Sequence, residues 1–409
     1  MKRTFAFMPV VLNVLYEERL GGPQLRVLQV ARGLQAKGWE TVVVIPRGDP
    51  AFALRLHAEG VPFQELRLVR LRRSWNPATH LAYLARFGPN VAELRRLIRR
   101  HGAEVVHTNG ILHLQAAIAA HLEGAALVWH LNDSHSPFLL GWLCRPLVRR
   151  WSDRIAVTAR AVGDYYFPNT RGVADRLHVV YPPVDISRFN PQVDGSGIRE
   201  ELGVPDDGPV IGTVANIVPG KGLEYLLEAA AGIRRRFPTA RFVVAGRMLE
   251  NRRAYWTALC RQRRQLNMDE HFVFVGYRPD IPRLLAALTL YIHPSESEAG
   301  PMAVLEASAC GLPVVATDVG GPREILEDGQ TGILVAARSP SQIEAAVVRL
   351  LQRPKLMRIM GMRGAERVRG LFSLEVCVQQ HLRLYQAAIQ HRAGRRGQLP
   401  MASQPDEKG

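Results

Sequence analysis

Apolar side chains fall along this chain in one alternation, stated twice. Short apolar runs of strand length occur at Phe5–Leu12, Thr41–Ile45, Val105–Thr108, Ala126–His130 and Arg154–Val157. Between them, apolar residues recur at three- and four-residue intervals, the spacing of one helix face, over Gln24–Lys37, His80–Arg100, Leu112–Leu122 and Leu139–Trp151. A segment rich in Pro, Gly and Asp, VVYPPVDISRFNPQVDGSG, then reads as a linker. The alternation restarts with runs at Val210–Ala215, Arg241–Ala245, His271–Val275, Leu288–His293, Val314–Ala316 and Ile333–Val335, and ends in a helical stretch over Ser373–His391. Apolar strands separated by helices predict parallel sheets, so the expected fold class is α/β, with two doubly wound Rossmann-like domains. The expected boundaries are 1–183 and 184–372, then the helix 373–391, then a disordered tail 392–409. In open α/β sheets ligands sit beyond the carboxyl ends of the strands, which places the expected site in a cleft between facing domains.

With 409 residues, 47% of them hydrophobic, the chain is long enough for two cores. The opening MKRTFAFMPVVLNVLY has the basic start and apolar run of a signal peptide, but it lacks a small-residue cleavage site and reads as a first buried strand. No apolar run reaches the ~18 residues of a membrane span. Four scattered cysteines (Cys144, Cys260, Cys310, Cys377) imply no disulfide framework and no zinc ribbon, so a reducing, cytoplasmic setting is expected. The net charge of +16 is uneven: residues 1–183 hold 24 Lys/Arg against 13 Asp/Glu, and the rest hold 29 against 24. The first half is therefore expected to face something acidic, such as an anionic membrane surface. The basic amphipathic stretch Leu139–Trp151, together with VRLRRSW (Val69–Trp75), fits peripheral membrane contact or a core helix with solvated arginines.

The most informative chemistry lies in HPSESEAGPMAVLEASACGLPVVATDVGG, from His293 to Gly321. Here Glu298 and Glu306 stand eight positions apart across a loop-to-helix junction, with Ala299, Gly300 and Pro301 before a helix that starts near Met302. The first-turn N–H groups of a helix have no internal partners and attract anions. Two carboxylates beside such a site suit hydroxyl groups, and the pattern reads as a cradle for a sugar or ribose next to a phosphate. Lys221 follows the strand Val210–Ala215 and stands just before a helix, where a compact cation meets a diphosphate. Gly21 and Gly22 open the first helix after the first strand, where backbone amides can approach a phosphate. Residues 101–135 hold His101, His107, His113, His121, His130 and His135 without metal-ligand spacing. Of these, His107 and His130 stand at strand ends and are expected to face the cleft, and HLNDSH (His130–His135) suggests an acceptor-side role. Glu296 and Glu298 can be read as a metal pair. However, no D-x-D follows a buried strand, Asp206 and Asp207 lie in a turn, and Lys221 with a helix N-terminus can offset a diphosphate. No metal and no cofactor are expected.

These motifs resemble the retaining GT-B glycosyltransferases of family 4, from Gly21 to about Leu384. The specific part runs from Pro294 to Gly332, with its E-x7-E and GLPVVATDVGG, and KGLEYLLEAA and RFVVAG are consistent with it. The resemblance implies that Glu306 holds the ribose hydroxyls of a nucleotide donor. It implies that Glu298 contacts the transferred sugar beside the amides of Ala299 to Met302, and that Lys221 binds the diphosphate. Gly22 would approach the donor phosphates, Tyr277 and Arg278 would lie at the base, and the last helix would cross back to the first domain. Two positions depart from the family pattern. Asn216 stands where an arginine usually accompanies the lysine, with Arg247 as a possible substitute. Asn109 and Asn132 stand at histidine slots, with His107 and His130 two residues earlier. Deprotonation of an acceptor would then fall to His130, Asp133 or the leaving phosphate.

The expected function is metal-independent, retaining transfer of a hexose from a UDP- or GDP-linked nucleotide-sugar donor to a glycan or lipid-linked acceptor, in polysaccharide, lipopolysaccharide or glycolipid synthesis. An epimerase or hydrolase of the same fold is the alternative within enzymes. A nucleic-acid-binding protein is suggested only by charge, and no reading helix or aromatic platform accompanies that charge.

Overall fold

A computed structural model describes residues 8–17, 21–48, 50–69, 77–133, 138–204 and 208–397. The chain divides into two compact units. One comprises Met1–Thr158, Val162–Val180 and Val378–Gly409, and the other Ala159–Ala161 and Tyr181–Cys377.

The first unit holds strands β1 (Val10–Val14), β2 (Glu40–Pro46), β3 (Phe63–Leu66), β4 (Val105–Asn109), β5 (Ala126–Leu131), β6 (Arg154–Val157) and β7 (Leu177–Val179). They form one sheet in the order β3-β2-β1-β4-β5-β6-β7, parallel throughout. The second holds β8 (Val210–Val214), β9 (Arg241–Ala245), β10 (Phe272–Gly276), β11 (Leu290–His293), β12 (Val314–Thr317) and β13 (Ile333–Val335), parallel in the order β10-β9-β8-β11-β12-β13. Both units are therefore Rossmann-like, as the apolar runs predict.

Parallel strands need helical crossovers, and these cover both faces of the sheet. The second unit shows this residue by residue. Val243 on β9, Tyr291 on β11 and Val314 on β12 enter one core, while their neighbours Phe242, Val244, Ile292 and Val315 enter another. Each such fully buried aliphatic side chain contributes roughly 1.5–3 kcal/mol relative to exposure.

The strand order reverses direction at β1/β4 in the first unit and at β8/β11 in the second. A crevice opens beyond the carboxyl ends of the strands at such a switch point, because the two crossovers leave in opposite directions. In the second unit the two segments that leave β8 and β11 there carry Lys221 and Glu298.

Several elements were not foreseen. Strands β3 and β7 are short edge strands with no fully buried residue, and the helix Pro50–Ala58 buries only Phe52 and Leu56. The last helix, Leu374–Gly397, runs six residues into the stretch expected to be disordered from 392. Side-chain contacts to the first unit order it: His391 Nδ1 lies 2.8 Å from Asp153 Oδ1, Arg392 donates to the His121 and Gly124 carbonyls, and Arg395 to that of Arg150. Residues 398–409 lie outside the described residues, as do His135, Asp206, Asp207 and most of Val69–Trp75. All four cysteines are free, and no helix among the described residues is long and apolar enough to cross a membrane.

Candidate active site

β11 ends at His293, and the following loop carries Glu298 back over the sheet edge. Glu298 Oε2 accepts from Lys221 Nζ at 2.6 Å and from His293 Nε2 at 3.3 Å. Burial alone would push this carboxyl up. The hydrogen bond from His293 and the charge of Lys221 outweigh burial and bring it down to about 2. The second oxygen, Oε1, has no hydrogen-bond partner among the described residues. The backbone is fixed as firmly as the side chain. Gly321 N–H donates to the Glu298 carbonyl at 3.0 Å, and Glu296 N–H donates to the Gly220 carbonyl at 2.9 Å.

Glycines allow these loops to touch. A Cβ on Gly222 would lie 1.9 Å from the Pro294 carbonyl oxygen, and Gly222 has φ +67°, where L side chains are strained. A Cβ on Gly320 would lie 2.1 Å from the Glu298 oxygen. The sequence motif KG thus has two parts with different jobs: Gly222 lets the loop after β8 lie against the loop after β11, and Lys221 uses that closeness to reach Glu298.

Glu306 lies two helical turns further on, on the helix Met302–Ala309, whose N-cap is Pro301. Its carboxyl is partly buried and has no hydrogen-bond partner among the described residues. Burial pushes it up to about 7, against a lowering by the charge of Arg188. The two glutamates are therefore in opposite states near neutrality, Glu298 ionised and Glu306 close to half-protonated.

On the other flank, Asn216 Oδ1 accepts from the Arg247 N–H at 3.2 Å. The Arg247 guanidinium stacks over the exposed ring of Tyr277 at 4.1 Å. Arg278, by contrast, is committed to Glu201 and Asp280. Glu296 is turned away to Arg338. Glu296 and Glu298 thus have separate cationic partners and do not converge on a shared point, contrary to the metal-pair reading.

The first unit corrects one expectation. His107 and His130 do not face a cleft. They are fully buried, beneath His381 and Tyr385 of the last helix. Arg26 Nη1 lies 3.1 Å from His130 Nε2, His130 Nδ1 lies 3.1 Å from His107 Nε2, and His107 Nδ1 lies 2.7 Å from the Tyr385 hydroxyl. Arginine can only donate, so His130 Nε2 accepts. Then His130 Nδ1–H donates to His107, and His107 Nδ1–H donates to Tyr385. Both imidazoles are neutral: burial, then the neighbouring His381 and Arg26, hold His107 well below its usual range, and burial, Arg26 and His107 do the same for His130. Asn109 belongs to the same network. Its Oδ1 accepts from Arg26 Nη2 at 2.8 Å, and its Nδ2 donates to Asn13 Oδ1 at 2.8 Å.

The donor nitrogens of His107, His130 and His381 lie within 4.8 Å of one another. Every ring nitrogen of the first two is already hydrogen-bonded, and the Arg26 cation adjoins the group, so this chemistry is that of a buried polar spine. Neither His107, His130 nor Asn109 is available to a substrate. Asn132 and Asp133, just past β5, remain at the surface: Asp133 is exposed, and the partly buried Asn132 has a side-chain oxygen without a partner. Gly22 opens the helix Gly22–Gln35 behind its N-cap Gly21.

Sequence reasoning missed His293, whose position as the last residue of a buried strand was the available signal. It also missed Gly222, Gly320 and Arg188. His381 and Tyr385 had no local signal at all.

Two Rossmann-like units, the second with its charged loops gathered at the strand switch point, define the GT-B class. The model for glycosyl transferases group 1 matches residues 196–367, and that for a glycosyl transferase 4-like domain matches residues 21–183. A GDP-mannose-dependent alpha-(1-6)-phosphatidylinositol monomannoside mannosyltransferase of Mycolicibacterium smegmatis is 32% identical over 295 residues, 68% of this chain and 75% of that one. The chain belongs to the group 1 glycosyltransferases. A D-inositol 3-phosphate glycosyltransferase of Frankia alni is 34% identical over 224 residues, 53% of this chain, and the chain spans about half the length of that relative (54%). Among solved structures, Anabaena Alr3699/HepE in complex with UDP shares the fold with a TM-score of 0.80 at 23% identity, over 93% of this chain and 100% of that one. A glycosyltransferase from Rickettsia africae does so with a TM-score of 0.81 at 18% identity, over 94% and 99%.

Proposed function

We propose that this chain is a retaining, metal-independent glycosyltransferase that moves a hexose from a UDP- or GDP-linked donor to a glycan or lipid-linked acceptor. The observation that carries this reading is the buried Lys221–Glu298 pair at the β8/β11 switch point. Lys221 neutralises the diphosphate as its bond to the sugar breaks, which stabilises charge that exists mainly in the transition state. Glu298, kept ionised by His293 and Lys221, accepts from sugar hydroxyls through its unused oxygen. The amides of Ala299 to Met302 lie beside it. The acceptor oxygen bonds to the anomeric carbon on the face the diphosphate leaves, and the hydroxyl proton passes to the departing phosphate. No protein base is required, which agrees with the burial of His130. Asn132 and Asp133 are the acceptor-side candidates. The basic first unit and the phosphorylated inositols named for two relatives favour an anionic acceptor.

The test is transfer itself. UDP- or GDP-hexose with an inositol phosphate or a glycan primer should yield a glycoside of retained anomeric configuration. Donor consumed with no glycosylated product would instead support the epimerase or hydrolase alternative.

Glu306 is assigned to the ribose hydroxyls, and its protonation gives a sharp check. Its folded-state value of about 7 exceeds the ordinary 4.5. Its contribution to stability is therefore fully present below pH about 4.5 and is lost as pH rises through about 7, a change on the order of 3 kcal/mol. Glu306→Gln should remove that dependence, so that the variant gains stability over the parent at pH 8 but not at pH 4.5 in urea unfolding. Hydroxyls donating to the carboxylate favour its ionised form. Nucleotide binding near pH 7 should then release a proton, seen as a buffer-dependent enthalpy, and Glu306→Gln should abolish the release.

Arg247 is assigned the place of the cation missing at Asn216, with Asn216 orienting its backbone and Tyr277 its guanidinium. Arg247→Gln should weaken nucleoside diphosphate binding about tenfold in calorimetry, or about 1.4 kcal/mol. Unchanged affinity would remove Arg247 from the site.

A further inference from the structure

Two stretches of the first half carry arginine but no acidic residue. Residues 66–92 and 134–152 together hold eight arginines and no Asp or Glu. Both lead into helices of the first unit, Pro77–His101 and Phe138–Trp151. The helices are neighbours at their buried faces: Tyr83 of the first is pushed up to about 12 by burial, with a further rise from Cys144 of the second. Their outward faces are unusually apolar. Leu81 is 69% exposed and Leu84 68% on the first helix, and Trp142 is 56% exposed and Leu143 54% on the second. Scattered single apolar residues on a surface are ordinary, but four large ones on two adjoining helices are not.

Arg86 lies one turn beyond Leu81 and Leu84, and Arg149 and Arg150 lie two turns beyond Trp142 and Leu143. Large apolar side chains within a cationic rim, with no carboxylate in either stretch, match the chemistry of an anionic bilayer: acyl chains below, phosphates at the level of the guanidinium groups. A protein partner would need to be equally acidic and apolar. A second copy of this chain would bring its own arginines against these.

We propose that the outward faces of these two helices, centred on Leu81, Leu84, Trp142 and Leu143, form a docking surface for an anionic lipid bilayer. This is independent of the donor-site reading, since the binding assay needs no nucleotide. The full chain should sediment with phosphatidylcholine vesicles containing phosphatidylglycerol, much less with phosphatidylcholine alone, and less as salt rises. The variant Leu81→Gln/Leu84→Gln/Trp142→Gln should lose at least about tenfold in vesicle partition at unchanged thermal midpoint. If that variant does not fold, Arg86→Gln/Arg150→Gln should remove most of the preference for phosphatidylglycerol. The proposal is overturned if the parent chain does not bind anionic vesicles or if the folded variant binds as well as the parent. It is equally overturned if, without lipid, the substitutions convert an oligomer to a monomer, for the face would then be a self-interface.

Discussion

Replacing Lys221 with alanine should lower the rate of glycosyl transfer about 10²- to 10³-fold, with nucleotide affinity changed far less. The split comes from the work of the ammonium. In the structure it touches Glu298 Oε2 at 2.6 Å from the end of a loop fixed by backbone contacts. A cation held there meets the diphosphate in both bound and reacting states, but the charge on the leaving oxygen grows only as the bond breaks. Single-turnover rates and nucleotide titrations of the variant separate the two effects. The same substitution should move the protonation of Glu298. Burial opposes its ionisation, and Lys221 and His293 together hold it at about 2. In the parent, the contribution of this depressed carboxyl to stability is present above the ordinary pH of about 4.5 and is lost only as pH falls through about 2. With Lys221 gone, burial regains ground, and that loss should begin at higher pH. Lys221→Arg should restore the charge but only part of the rate, since a planar guanidinium cannot take the place of a compact ammonium.

Gly222→Ala should be the most damaging single methyl group in the second unit. Two costs add. A side chain at φ +67° costs roughly 1–2 kcal/mol. The new Cβ would also lie 1.9 Å from the Pro294 carbonyl oxygen, a backbone atom that cannot rotate aside, so the loops after β8 and β11 must separate. A total loss of about 3 kcal/mol or more is expected, together with loss of transfer, since Lys221 is the adjacent residue. Gly203→Ala is the control. Gly203 has nearly the same φ, +62°, but nothing within 4 Å of a Cβ. Its cost in urea unfolding should be the conformational part alone. Equal costs for the two variants would mean that the contact between the loops is unimportant.

The strands were legible because parallel strands buried on both faces read as continuous apolar runs, and all six strands of the second unit fall within two residues of their runs. β3 and β7 were not, because an edge strand with no fully buried residue leaves no such run. Lys221 and Glu298 were legible for a related reason. Both come soon after strand ends, and the sheet order sets the loops leaving β8 and β11 side by side. His107 and His130 also sit on strands, and there the same reasoning failed. They are covered by the last helix, some 250 residues later, and no local pattern announces that His381 and Tyr385 will lie against them. Their polarity serves the seating of that helix. The glycine contacts were hidden for another reason: a sequence shows that a glycine is present but not which carbonyl lies against it.

The central claim is that the loops after β8 and β11, with Glu306, hold a nucleotide. Thermal unfolding with UDP, GDP and ADP, compared among the parent chain, Glu306→Ala and Lys221→Ala, tests it most directly. One of the nucleotides at 100 times its Kd should stabilise the parent by about 2.7 kcal/mol. Glu306→Ala should lose most of that gain at the same concentration, and Lys221→Ala should keep much of it. No shift with any nucleotide, or an undiminished shift in Glu306→Ala, would contradict the account.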